Sequence, residues 1–144
     1  MYIGLLILHN VLRWLILVIA LVVLLRYFMG WFSQKKWKKS DNILGLIFTA
    51  LMDLQLLSGL ILYFLSPIIK TAFQDFGAAL SNPEIRFYAV EHSGMMLLAI
   101  ILVHIGRARS KKGTPDKQKF GQALLFFGIA YIIIIAAIPW RITG

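Results

Sequence analysis

The sequence predicts an all-α fold, an integral membrane four-helix bundle built by a single domain over residues 1–144. Three observations predict it. Hydrophobic residues make up 60% of the chain and its mean hydropathy is +0.80, an excess that a soluble domain of this size has no interior to hold. Four apolar runs, Tyr2–Met29, Ile43–Leu65, Phe87–Ile105 and Phe120–Pro139, each reach the roughly 20 residues that cross a hydrocarbon core about 30 Å thick. The basic residues collect at two of the three connections. Arg26, Lys35, Lys36, Lys38 and Lys39 surround the first, and Arg107, Arg109, Lys111, Lys112, Lys117 and Lys119 surround the third. By the positive-inside bias, these two connections face the cytoplasm and both termini lie on the outer side.

The elements follow in order. Tyr2–Met29 lacks a basic leader and a small-residue cleavage site and is too long for the apolar core of a signal peptide. It reads as a retained, tilted helix 1. Trp31 to Ser40 is a basic loop with Trp31 and Trp37 suited to the interface, after which Asp41 is placed to cap helix 2. Between spans 2 and 3, Ile68, Ile69, Ala72, Phe73, Phe76 and Leu80 recur at helical spacing opposite Lys70, Thr71, Gln74 and Asp75. That pattern predicts a short interfacial helix over the outer end, with a collapsed apolar loop as the alternative. Ser81-Asn82-Pro83-Glu84 opens helix 3 with capping-box spacing and an early proline, and Thr114-Pro115 opens helix 4 in the same way. Pro139-Trp140-Arg141 stops helix 4. With no ionisable residue in Ala123–Pro139, helix 4 reads as lipid-facing cover or as a surface for partner subunits. No strict GxxxG pattern supports a dimer.

Charge and cysteine content exclude several function classes. The net charge of +9 sits at span ends, where topology signals sit, so the partner it implies is the lipid bilayer with its anionic head groups and not nucleic acid. The absence of cysteine excludes disulfides, Cys-ligated iron–sulfur clusters and covalently attached haem.

Chemistry is expected where ionisable groups interrupt the apolar runs, because such a group costs several kcal/mol in hydrocarbon unless paired or used. His9 lies about six residues into helix 1, and His92 about six residues beyond Arg86 in helix 3. Both helices run inward, so the two histidines share a depth of roughly 10 Å. Two histidines at one level on different helices can supply both axial ligands of a haem iron, with His9 and His92 as the metal ligands. Arg13, one turn below His9, and Arg86 at the outer interface are candidates for the propionates, and Glu91 for orienting a neighbour. A cofactor-free polar network among the same residues is the competing expectation. An isolated zinc ion would need three or four ligands where two converge. His104 reads as an interfacial polar residue. Asp53 and Gln55 form a proton-handling or structural polar site. Asp53 is expected either to tie helix 2 to Arg13 or to accept protons for a redox or quinone site.

The segments Leu8-His9-Asn10-Val11-Leu12-Arg13-Trp14, Gln55-Leu56-Leu57-Ser58-Gly59-Leu60, Arg86-Phe87-Tyr88-Ala89-Val90-Glu91-His92, Gly106-Arg107 and Pro139-Trp140 resemble the small four-span bacterial membrane proteins labelled cytochrome b or cytochrome b-like. The resemblance covers all four spans. At the position of Asp53 the family pattern often has a histidine. The resemblance implies a non-covalent haem b on His9 and His92, supported by Arg13 and Glu91. It also implies electron transfer, quinol-linked, in or near a respiratory chain of the bacterial cytoplasmic membrane. A cofactor-free accessory subunit of a larger membrane complex is the rival expectation, and proton-coupled transport through Asp53 and Glu91 a third.

Overall fold

A computed structural model describes residues 1–113 and 115–140, and every element among them is helical. The elements are α1 (Tyr2–Phe32), α2 (Lys39–Leu65), α3 (Pro67–Gln74), α4 (Phe76–Ser81), α5 (Pro83–Arg86), a π-helical segment (Phe87–His92), α6 (Ser93–Lys112) and α7 (Asp116–Ala137). From α5 to α6 the chain is one continuous helix, Pro83–Lys112. Among the described residues, four helices are long and apolar enough to cross a membrane: Tyr2–Phe32, Lys39–Leu65, Pro83–Lys112 and Asp116–Ala137. Each begins at or before the apolar run that predicts it, and the first and third also continue into the polar turns beyond, whereas the fourth stops at Ala137, short of Pro139.

The four helices close around one core. Ile16, Leu17, Ala20, Val23 and Tyr27 come from α1, Phe48 and Met52 from α2, Ala99, Ile100 and Val103 from α6, Phe120, Ala123, Phe127, Ala130 and Ile134 from α7, and Ile138 from just beyond it. In α7 the buried residues are Phe120, Ala123, Phe127, Ala130, Ile134 and Ala137. Large side chains at 120, 127 and 134 alternate with alanines at 123, 130 and 137, so both sets repeat every seven residues. A seven-residue repeat keeps one seam against its neighbours. The expectation of α7 as lipid-facing cover is therefore corrected: it is a core helix. Mean polarity cannot reveal this, because α7 is apolar all round and its buried stripe differs from its lipid-facing side in size, not in polarity.

Close approach is built into two partners of that seam. A Cβ on Gly30 of α1 would stand 2.5 Å from the Phe120 ring, and one on Gly106 of α6 would stand 2.8 Å from Cβ of Phe126. Where α1 meets α2, Asp41 is fully buried. Its carboxylate accepts from Arg26 Nε at 2.6 Å, from Arg26 Nη2 at 3.1 Å and from the Lys38 backbone N–H at 2.9 Å. Its own carbonyl accepts from the Tyr27 hydroxyl at 2.7 Å. Asp41 thus sits three residues inside the α2 cap, at Lys38, and acts as a tie between α1 and α2 besides closing the first turn. Arg107 of α6 adds a bond from Nη1 to Asn42 Oδ1 at 2.8 Å. These pairings join three helices at one end of the bundle.

At the other end two short helices, α3 and α4, replace the single one expected between spans 2 and 3. Asp75 divides them: its extended backbone ends α3, and its side chain accepts from the Ala78 N–H to start α4. Ile69, Ala72 and Ala79 are buried there, whereas Phe73, Phe76 and Leu80 are exposed. The cap of the third long helix is Asn82, whose Oδ1 accepts from the N–H groups of Glu84 and Ile85, with Pro83 in the first turn. Ser81 is not the cap. Helix α7 begins after Pro115 and ends at Ala137, two residues before Pro139. Thr114 and Arg141, expected at the two ends of this helix, lie outside the described residues.

Candidate functional site

The histidines expected to share a depth do meet. The His9 and His92 rings stand 6.4 Å apart between centroids, at 67° to one another. Each is anchored through Nδ1. His9 Nδ1 lies 2.9 Å from Ser58 Oγ, and the Ser58 hydroxyl donates to the Gln55 carbonyl at 2.9 Å. While the serine proton stays on the Gln55 carbonyl, Nδ1 of His9 is the donor. His92 Nδ1 lies 2.8 Å from the Ala137 carbonyl, which only accepts, so this Nδ1 also carries a proton. Neither Nε2 has a hydrogen-bond partner among the described residues. A fixed Nδ1–H with a bare Nε2 is the arrangement that prepares a histidine to bind a metal ion.

Helix α2 builds the cradle for His9. Gln55, Ser58 and Gly59 share one face, as their spacing predicts, and the approaching helix is α1. Gln55 Nε2 donates to the His9 carbonyl at 3.0 Å, and a Cβ on Gly59 would come within 3.2 Å of His9 Cε1. Glycine at 59 is what lets the imidazole lie against α2. Gln55 Oε1 is buried without a partner.

His92 is placed by the π-helical segment, a feature that periodicity reasoning misses because it assumes regular turns. The wider i→i+5 turn shifts the helix face by a residue and is frequent at functional sites. Its effect is visible at Arg86 and Glu91. Five residues apart, they would point away from each other on an α-helix, yet Arg86 Nε donates to Glu91 Oε1 at 2.8 Å. Phe87 and Tyr88 flank the His92 ring, with centroids at 5.8 and 6.4 Å. The Ala89 carbonyl within this segment accepts from the Tyr63 hydroxyl at 2.9 Å and the Ser93 hydroxyl at 3.0 Å. Both donors stand outside the π turn and brace it.

The other expected residues divide. Arg13 remains beside the histidines: its charge lies within Coulombic reach of both rings, and its Nε is buried without a partner. The guanidinium sits 5.4 Å from the centre of the Trp14 ring. Arg86 is engaged elsewhere, with Glu91 and, at 3.3 Å, the Leu80 carbonyl. The expected Arg13–Asp53 tie is corrected. Asp53 bonds His104 instead, Oδ1 to Nε2 at 2.8 Å. His104, read as an isolated interfacial residue, therefore has a partner that spacing along one helix cannot reveal, since the pair forms across α2 and α6.

Among the described residues no three His, Cys, Asp or Glu side chains converge on a metal position. The donor set is two imidazoles with an unpaired guanidinium nearby. No family model, curated protein or solved structure matches the chain.

Proposed function

We propose that this chain is a b-type haem protein of the membrane that carries single electrons, in or near a respiratory chain. The observation that carries the reading is the facing pair His9 and His92, each with Nδ1 held by its own helix neighbour and Nε2 bare. The donor set fits the group: two imidazoles with ring centres 6.4 Å apart both have Nε2 free of hydrogen bonds among the described residues. Bound haem would supply reversible one-electron chemistry. His9 and His92 would hold its iron through Nε2. Ser58 and the Ala137 carbonyl orient the two rings, and the carbonyl fixes the tautomer of His92. Arg13, a half-buried cation without a carboxylate partner, would neutralise a propionate.

The membrane topology belongs to the same proposal. The basic residues around the first and third connections favour a cytoplasmic position for both, with the two termini outside and α3–α4 resting on the outer interface. In that orientation the histidine pair sits toward the outer face, and the resemblance to bacterial proteins favours the cytoplasmic membrane.

The test is a reduced-minus-oxidised visible spectrum of purified protein, with haem quantified per chain. The expected result is a low-spin b-type spectrum near one haem per chain, lost in both His9→Leu and His92→Leu. Colourless protein from cells replete in haem, or full occupancy in both variants, overturns the reading. One observation favours a second reading, a cofactor-free accessory subunit: the two Nδ1 bonds already tie α1 to α2 and the third long helix to α7 without any cofactor. Colourless protein that copurifies with one large membrane partner would establish it.

A further inference from the structure

Eleven of the 15 basic residues surround the first and third connections, where only Asp41 and Asp116 of the six acidic residues lie. Arg26 is held by Asp41, and Lys119 stands 3.8 Å from Asp116. Arg109 and Lys112 have no carboxylate within ion-pair distance among the described residues. Both border an open cleft of about 300 Å³ between the end of α6 and the start of α7, lined also by Ala108, Gly113, Gln118 and Gln122. Arg109 is held in place there. Its Nη1 donates to Gln122 Oε1 at 3.3 Å, and its guanidinium lies 5.3 Å from the centre of the Phe126 ring. Since that bond occupies the Gln122 oxygen, the amide nitrogen is left to donate. The cleft thus offers a guanidinium, an ammonium and an amide N–H.

Apolar surface continues from it along both helices. Ile105 lies one turn back from Arg109 on α6, and Leu125 and Ile129 lie one and two turns beyond Gln122 on α7. All three are exposed.

We infer that this cleft binds the head group of one anionic phospholipid, with its phosphate on Arg109 and Lys112 and its acyl chains along Ile105, Leu125 and Ile129. Guanidinium and ammonium donors make charge-assisted hydrogen bonds to phosphate oxygens, and basic pockets between membrane helices suit such head groups. The order of the surface, donors at the span end and then aliphatic side chains, matches the order of groups in a phospholipid. A soluble phosphate would use the donors and leave the apolar surface idle. A second copy of the chain is disfavoured, because a two-fold contact here would set Arg109 and Lys112 against their like. The cleft is remote from the histidine pair: 17 residues from His92 to Arg109 correspond to about 25 Å along the helix. The proposal therefore needs the membrane placement and not haem, and it holds whichever face of the membrane this end occupies.

The experiment is native mass spectrometry of the full chain released from detergent micelles that hold equal amounts of phosphatidylglycerol and phosphatidylcholine with the same acyl chains. Retention of one phosphatidylglycerol per chain, in preference to phosphatidylcholine, is expected. Arg109→Gln and Lys112→Gln should each lower that preference about fivefold, the usual effect of one basic residue on an anionic lipid. Removing two charges at the first connection, with Lys35→Gln and Lys36→Gln together, should leave it unchanged. The Lys112 side chain makes no hydrogen bond or ion pair among the described residues, so Lys112→Gln tests the site without disturbing the Arg109 contact to α7. Three results would overturn the proposal: equal retention of the two lipids, a loss at Lys35 and Lys36 as large as that at Arg109 and Lys112, or displacement of the lipid by millimolar inorganic phosphate, which would make this a site for soluble anions.

Discussion

At the residue scale, the proposed function turns on which nitrogen of each histidine is spoken for. A serine and a backbone carbonyl engage the two Nδ1 atoms and leave both Nε2 atoms without hydrogen bonds, on rings whose centres stand 6.4 Å apart. Ser58→Ala removes the acceptor for His9 while leaving the histidine itself. Loss of such an orienting partner typically costs about ten- to hundredfold in metal affinity. Haem titration of Ser58→Ala protein should show a loss in that range, whereas an unchanged affinity would mean that His9 is not held by this bond. The histidines, Arg13, Gln55 and Ser58 are all legible in the sequence as polar interruptions of apolar runs. The service of Ser58 to His9 is not, because it depends on the rotation of two helices about their own axes.

At the element scale, two helices depart from what regular periodicity predicts. The π-helical turn at Phe87–His92 aims His92 and brings Arg86 onto Glu91. Deleting Val90 removes the extra residue that the wide turn absorbs, so the segment should wind as ordinary α-helix with the helix beyond it kept in register. The expected outcome is unchanged helical content by circular dichroism and, under the proposed function, a haem signal retained. The seam of α7 is the second departure. Gly106→Ala must push the added methyl against Phe126 Cβ, which cannot swing aside, and Gly30→Ala meets the buried Phe120 ring. Overpacking of this kind costs about 1–3 kcal/mol. Gly94→Ala, with nothing within 4 Å of the new Cβ, is the control and should be neutral or stabilising by about 0.5–1 kcal/mol through helix propensity. Unfolding in mild detergent measures all three. Equal effects at Gly94 and Gly106 would mean that the α6–α7 seam is looser than described.

At the scale of the whole molecule, the bundle is tied at one end by charge and at the other by the histidines. Asp41 is fully buried and holds Arg26, the Lys38 backbone and, through its carbonyl, Tyr27. Removing one partner of a buried pair strands the other, at a cost of about 3–5 kcal/mol. Asp41→Ala should therefore lower stability by about that much, while Arg26→Met with Asp41→Leu should recover part of it. The proposed topology makes its own prediction, helped by the absence of native cysteine. In intact cells, an impermeant thiol reagent should label Asp75→Cys and spare Lys36→Cys. The reverse pattern would place the histidine pair toward the cytoplasm.

The sequence alone determined the class of fold, the number of long helices and the positions of polar residues along them. Each of these follows from the solvent: hydrocarbon demands long apolar helices and makes every ionisable interruption conspicuous. Only the tertiary structure decided who pairs with whom. Asp53 was as open to Arg13 as to His104 by depth, and α7 looked like cover because its buried and lipid-facing sides are equally apolar. Partner choice depends on helix rotation, on a single widened turn before His92 and on the room left by Gly30, Gly59 and Gly106. None of these alters hydropathy, so only packing reveals them.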